Sequence, residues 1–184
     1  YTGLQPQDFY ALVMSIAERH QLPQSQIILG GDHLGPLTWA EQPESDAMAK
    51  ANELVYLYAA AGFTKIHLDT SMKLAGDPAG ALSIDTVARR GAELYRSAFA
   101  GYSELLKRDP DAPRPVFVIG SEVPIPGGAQ QVEDSLEVTA PDAFLDTVAA
   151  YENAFLAAGV PEAMQDVIAV VVQPGVEFGD SEVF

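Results

Sequence analysis

Four short aliphatic runs alternate with four longer stretches of helical periodicity along this chain. The first helical stretch covers residues 5–20. Pro6 and Asp8 open it, and Phe9, Leu12, Val13 and Ile16 fall at the i, i+3, i+4, i+7 spacing of one helix face. The aliphatic run 27–29 reads as the first strand. A second helix starts at Ser45 or Asp46 and runs to Ala61. Leu54, Leu57, Tyr58 and Ala61 are its expected buried stripe, and Gly62 its C-cap. Residues 64–68 read as a strand that ends at Asp69. The third helix, 83–107, carries Val87, Gly91, Leu94, Tyr95, Ala98, Tyr102 and Leu105 on one face. A Pro-rich connector, 109–115, leads to a strand at 116–119 that ends in Gly120-Ser121-Glu122. A long loop, 123–139, precedes a helix at 142–158 capped by Gly159. The last strand, 167–172, ends at Gln173-Pro174-Gly175.

Strands with little polar alternation, separated by helices, predict a parallel sheet. Two parallel folds compete. An open doubly wound sheet carries chemistry at one switch point, whereas every strand end of a closed (β/α)8 barrel faces one site. Here all four strands end in polar groups: Asp32-His33, Asp69, Glu122, and Gln173 with Glu177. That pattern predicts the barrel. A full barrel needs about 250 residues and eight strands, so residues 1–184 are expected to be about half of one. The chain opens Tyr1-Thr2-Gly3 without Met and stops at Ser181-Glu182-Val183-Phe184, which suggests a segment of a longer protein.

Composition narrows the function classes. A net charge of −16 argues against nucleic acid and anionic membrane surfaces as partners. The absence of cysteine removes disulfides and thiolate metal sites, and suits a reducing cytoplasm. No apolar run reaches the length of a membrane span, and no signal peptide is visible. There is no GxxxxGK[ST] loop and no GxGxxG after a strand, so nucleotide and dinucleotide fingerprints are missing.

The chemistry concentrates at the strand ends. Asp32-His33 follows Gly30-Gly31 and precedes Gly35-Pro36. A neutral imidazole suits a divalent metal, and the adjacent carboxylate suits acid/base work. At a frayed strand end both side chains can reach the mouth. Asp69 closes the next strand, with Thr70 and Ser71 offering hydroxyls and amides to a ligand. His67 shares a face with Asp69 and reads equally as an interior ligand or a hydrogen-bonded core histidine. Lys73 reads as a solvated loop lysine. Glu122 is a third carboxylate, and Gly127-Gly128 permits close backbone approach to a ligand. Gln173 can hydrogen-bond a hydroxyl but is a poor metal ligand. Tyr56, Tyr58, Tyr95, Tyr102 and Phe155 read as packing residues.

Five motifs together resemble one family. They are 27–36 (IILGGDHLGP), 65–72 (KIHLDTSM), 75–78 (AGDP), 120–128 (GSEVPIPGG) and 171–178 (VVQPGVEF). In this order they resemble the accessory, non-catalytic subunits of class II D-tagatose-bisphosphate aldolase, whose members also carry a tagatose-6-phosphate kinase label. The resemblance implies carbohydrate metabolism of the galactitol-catabolism kind, a catalytic aldolase subunit as partner, an oligomeric assembly, and a ketose or ketose phosphate as ligand. By similarity to the catalytic class II aldolases it implies zinc, with Asp32 as proton-transfer acid, His33 as metal ligand and Glu122 as a metal-site or catalytic carboxylate. Asp69, Ser71, Gly127, Gly128 and Gln173 would then bind substrate. Those aldolases place a histidine ligand where this chain has Gln173. The alternative is a metal-dependent ketose or ketose-phosphate epimerase, or an aldol-type lyase, acting in its own right. The kinase label gains no support from the residues.

Overall fold

The structure, a computed structural model, describes residues 3–120 and 139–173. In chain order the elements are α1 (Pro6–Arg19), β1 (Gly30–Leu34), α2 (Glu44–Ala61), β2 (Lys65–Leu68), α3 (Ile84–Leu106), β3 (Val116–Gly120), α4 (Pro141–Ala157) and β4 (Val167–Val171). The strands form one parallel sheet in the sequential order β1-β2-β3-β4. The helices pack side by side in the same sequence, α1 on α2, α2 on α3, α3 on α4. A sequential order with the helices in one layer is how successive βα units are laid down around a barrel.

Side-chain parity splits the sheet into two faces. Ile66, Leu68, Phe117 and Ile119 are fully buried against the helices, in one core with Val55, Leu94, Tyr95 and Phe155. Lys65, His67 and Val118 alternate with them and take the other face. The predicted elements form, with three corrections.

The first concerns the opening strand. The run 27–29 is not part of it, and β1 begins at Gly30. β1 finds ladder partners only from Gly30, opposite Lys65. Ahead of that, Leu29 alone reaches across, its carbonyl accepting the Thr64 and Lys65 amides at 3.0 and 3.2 Å. Ile28 stands 79% exposed. Asp32-His33 therefore lies inside a paired strand rather than at a frayed end.

The second concerns α2. Its buried stripe is Ala47, Met48, Ala51, Val55, Ala59 and Ala61, whereas Leu57 is exposed and Leu54 and Tyr58 are only partly covered. Small residues win this face because α3 comes very close. A Cβ on Gly101 of α3 would lie 2.2 Å from the Tyr56 carbonyl oxygen. The helix starts on Glu44 behind Pro43, with no side-chain cap, so neither Ser45 nor Asp46 caps it. The Gly62 C-cap does form, at φ +98°.

The third concerns α1. Phe9, Leu12 and Ile16 remain exposed, and only Ala17 is buried. Phe9 meets Phe63 at 6.2 Å between ring centroids.

A polar knot around the buried Asp166 braces the sheet at the N-terminal ends of its strands. Asp166, just ahead of β4, accepts the Tyr95 hydroxyl at 2.6 Å and both prongs of Arg114 at 2.6 and 2.7 Å. Arg114 lies over the Phe99 ring, 4.9 Å from its centroid. Among the described residues no helix is long and apolar enough to cross a membrane.

Candidate functional site

The site grows out of an irregularity in β1. Gly31 pairs with Ile66 and Leu34 with Leu68, so three steps along β1 match two along β2. This is a β-bulge, and His33 occupies it in the left-handed region at φ +49°. The extra residue cancels the usual alternation. Asp32 and His33 both face the open side of the sheet, while Leu34 returns to the core. Glycines make the room. A Cβ on Gly31 would lie 2.6 Å from Leu34 Cδ1, and one on Gly35 would lie 1.6 Å from the Asp69 carbonyl oxygen. A Cβ on Gly30 would crowd the Lys65 stem, at 3.2 Å from its Cδ.

β2 supplies the facing groups. Lys65 pairs with the Asp32 carboxylate, and His67 Nδ1 lies 3.6 Å from the same oxygen. The His33 and His67 rings sit 4.8 Å apart at 58°. His33 Nδ1 bonds Asp69 Oδ2 at 3.0 Å. The other oxygen of Asp69 accepts the Ser71 hydroxyl at 2.7 Å and its amide at 3.2 Å. Asp69 is buried and its amide donates to the Leu34 carbonyl at 3.0 Å, so it is clamped between β1 and its own turn. The buried Thr70 hydroxyl ties the same turn to the Val87 carbonyl at 2.7 Å.

Electrostatics assign the charge states. The hydrogen bond from Lys65 holds the Asp32 carboxyl below its usual range, against a smaller desolvation effect, so Asp32 is a carboxylate. Burial pushes the His67 imidazole below its ordinary value. The neighbouring Asp69 charge pulls the other way and does not win, so the ring is neutral. Its Nδ1 accepts the His33 amide at 3.4 Å, and its buried Nε2 has no hydrogen-bond partner among the described residues. A buried polar atom left unpaired costs about 1–3 kcal/mol, and satisfied networks avoid it.

One donor atom from each of His33, His67 and Asp69 lies within 4.8 Å of the other two. Two imidazoles and a carboxylate are a donor set that a divalent metal accepts, so the residues present fit a metal ion.

A family profile described as D-tagatose-1,6-bisphosphate aldolase subunit GatZ/KbaZ-like matches residues 1–184. The chain belongs to this family. Over 183 residues the GatZ/KbaZ-like chain is 45% identical to the D-tagatose 6-phosphate 4-epimerase of Agrobacterium fabrum, covering all of this chain and 42% of the relative. It is 44% identical to the D-tagatose-1,6-bisphosphate aldolase subunit GatZ of Escherichia coli, again with 42% of that relative covered. A crystal structure titled a probable tagatose 6 phosphate kinase from Sinorhizobium meliloti 1021 superposes with a TM-score of 0.79 at 45% identity. It is matched over 100% of this chain and 41% of its own. The chain thus spans about two-fifths of the length of these relatives.

Of the residues singled out in this GatZ/KbaZ-like sequence, the structure gathers Asp32, His33, Asp69 and Ser71 into one cluster. Ser71 is bound to Asp69 and Asp69 to His33, so within the cluster they orient the histidine. Gln173 is nine-tenths buried beyond β4, where its backbone exchanges two 2.8 Å bonds with Thr139. Glu122, Gly127 and Gly128 lie outside the described residues. Lys73 is exposed, as the sequence suggested.

Sequence reasoning missed two residues. Lys65 is a cluster member, and its inward parity with His67 was the available signal. Arg90 is fully buried in α3, bonding Asp77 at 2.7 and 3.0 Å and Glu44 at 2.7 Å. It fastens the connection that follows Asp69 to the start of α2. Its position beside Val87 and Gly91 on the buried face was legible, but its carboxylate partners, remote in sequence, were not.

Proposed function

We propose that this chain is part of the accessory subunit of a class II tagatose-bisphosphate aldolase, working beside a catalytic subunit in cytoplasmic galactitol-type sugar breakdown. The observation that carries this reading is 44% identity to an aldolase subunit GatZ along all of the chain. In this reading the four βα units close with further units into a (β/α)8 barrel. The cluster then stands at the C-terminal ends of the strands, where such barrels keep their sites.

The cluster suits a phosphorylated ketose. Asp32, held ionised by Lys65, is a base within reach of a sugar hydroxyl or an α-carbon proton. Asp69, backed by Ser71, fixes the His33 ring. A divalent ion, with zinc the first candidate, would supply Lewis-acid polarisation of a carbonyl or alkoxide when bound. The second reading, a metal-dependent ketose-phosphate epimerase, is favoured by one specific observation: the acid, base and imidazole groups are held together rather than dispersed.

The test uses the full-length protein with and without a class II aldolase catalytic subunit. Cleavage of tagatose 1,6-bisphosphate and epimerisation of tagatose 6-phosphate are both followed. A several-fold gain in activity or lifetime of the partner, with no turnover alone, is expected. Epimerisation by the protein alone, lost in an Asp32→Ala, His33→Ala double variant, would replace the subunit reading with the second one.

A further inference from the structure

We propose that His67, with His33 and Asp69, forms a two-histidine, one-carboxylate site for a divalent first-row transition-metal ion. In this arrangement β2 supplies the second imidazole from the strand next to His33. The resemblance to the catalytic aldolases implies a histidine on the fourth strand instead, where Gln173 stands.

Three observations carry this assignment. The first is spacing. His33 Nδ1 and Asp69 Oδ2 are 3.0 Å apart, the separation of two neighbouring ligands on an ion with bonds of about 2.1 Å. The donor atom of His67 completes a group no wider than 4.8 Å, which small side-chain rotations contract onto one ion.

The second is the orphaned nitrogen. His67 is 3% exposed and sits in the cluster with an Nε2 that finds no hydrogen-bond partner among the described residues. A ring buried for packing alone needs no such atom, because a hydrocarbon side chain would fill the space without leaving a polar atom unpaired.

The third is the partner already waiting on the other side of the ring. Coordination through Nε2 moves the ring proton to Nδ1, which then gives up the 3.4 Å bond it accepts from the His33 amide and needs an acceptor of its own. Asp32 Oδ1 lies 3.6 Å from that atom, and Lys65 keeps it ionised by pairing. Asp32 would then orient the metal-bound His67, as carboxylates commonly do for ligating histidines. Three protein ligands on one face leave positions open for the oxygens of a substrate.

This inference deepens the metal-bearing reading of the site, and its test needs no turnover. The full-length protein is stripped with a chelator, checked for fold by circular dichroism, and titrated with Co2+ alone. One cobalt per chain with a visible d–d spectrum is expected. His67→Ala should weaken binding by at least the roughly 10–100-fold that loss of an outer-shell partner costs.

His67→Cys gives a second readout that survives any loss of stability. These 184 residues contain no cysteine. A thiolate at position 67 should add a near-ultraviolet sulfur-to-cobalt charge-transfer band to the spectrum of the parent protein measured alongside. Three results would overturn the assignment: no stoichiometric cobalt in the parent protein, parent-like affinity in His67→Ala, or cobalt binding by His67→Cys without the new band. Failure to stimulate an aldolase partner would count against the proposed function and leave these readouts untouched.

Discussion

The two ends of the sheet each hold a polar cluster built around a buried carboxylate, Asp166 or Asp69, and treat it in opposite ways. At the N-terminal ends, both oxygens of Asp166 are bonded, Tyr95 donates to it, and Arg114 is fixed by two prongs and a ring face. At the C-terminal ends, a bulge places His33 at φ +49° and His67 keeps a buried nitrogen unpaired among the described residues. Backbone cost and unmet hydrogen bonding persist where the fold is held for some purpose beyond its own stability. The contrast separates a knot that braces the sheet from a cluster that presents chemistry, although both are made of carboxylates and cations.

The contrast can be broken most directly at Gly35. Gly35→Ala drives a Cβ into the Asp69 carbonyl, and backbone cannot rotate away as a side-chain tip would. A loss of about 3 kcal/mol in urea unfolding is expected, the upper end of overpacking costs. A near-neutral result would mean that the turn holding Asp69 is pliant.

The next effect belongs to the opposite end. Asp166→Asn should cost about 2 kcal/mol, because it removes charge-assisted hydrogen bonds to Arg114 and the buried Tyr95 hydroxyl. Cobalt affinity should not change. A change would show that the two ends are coupled through the sheet.

A smaller effect is expected at the bulge. His33→Asn loses the bond to Asp69, but asparagine tolerates the left-handed backbone. The two changes offset each other, so stability should stay within about 1 kcal/mol while cobalt binding is lost. A loss like that of Asp166→Asn would make His33 a bracing residue after all.

The finest distinction is by pH. The folded His67 pKa is lowered, chiefly by burial, so the unfolded chain takes up its proton first. Its contribution in metal-free protein is whole above the ordinary histidine value of 6.5 and declines as pH falls below it. Burial pushes the Asp166 carboxyl up, but Arg114 and Tyr95 together bring it below 3.8. Its contribution is whole above that value and declines only in stronger acid. Urea midpoints measured against pH should fall in two stages. His67→Gln should remove the first stage, and Asp166→Asn should reduce the second, which Asp32, Glu44 and Asp77 share through their own lowered pKa values. A first stage surviving His67→Gln would contradict the assignment.

The sequence carried the element order, the helical cap at Gly62, and Asp32-His33 and Asp69 as residues brought close together. These rest on local features: aliphatic runs, glycines and polar strand ends. What stayed hidden depends on neighbours. The start of β1 is set by where β2 offers partners, so the more hydrophobic 27–29 lost to Gly30–Leu34. The face of α2 is set by how near α3 comes, so alanines displaced Leu54 and Leu57. The bulge is invisible to any rule of alternation because it is a departure from alternation. Lys65 shares the parity of His67, but its pairing with Asp32 became legible only once Gly30 was known to lie across from it.

The bulge has one more consequence. In a regular ladder the amide of His33 would bond a carbonyl of the next strand. Here it donates to the ring nitrogen of His67. A backbone proton is thereby tied to a side chain that titrates, so its exchange rate and chemical shift should follow the state of that imidazole. The His33 amide is a built-in reporter, readable by nuclear magnetic resonance without any label placed in the site.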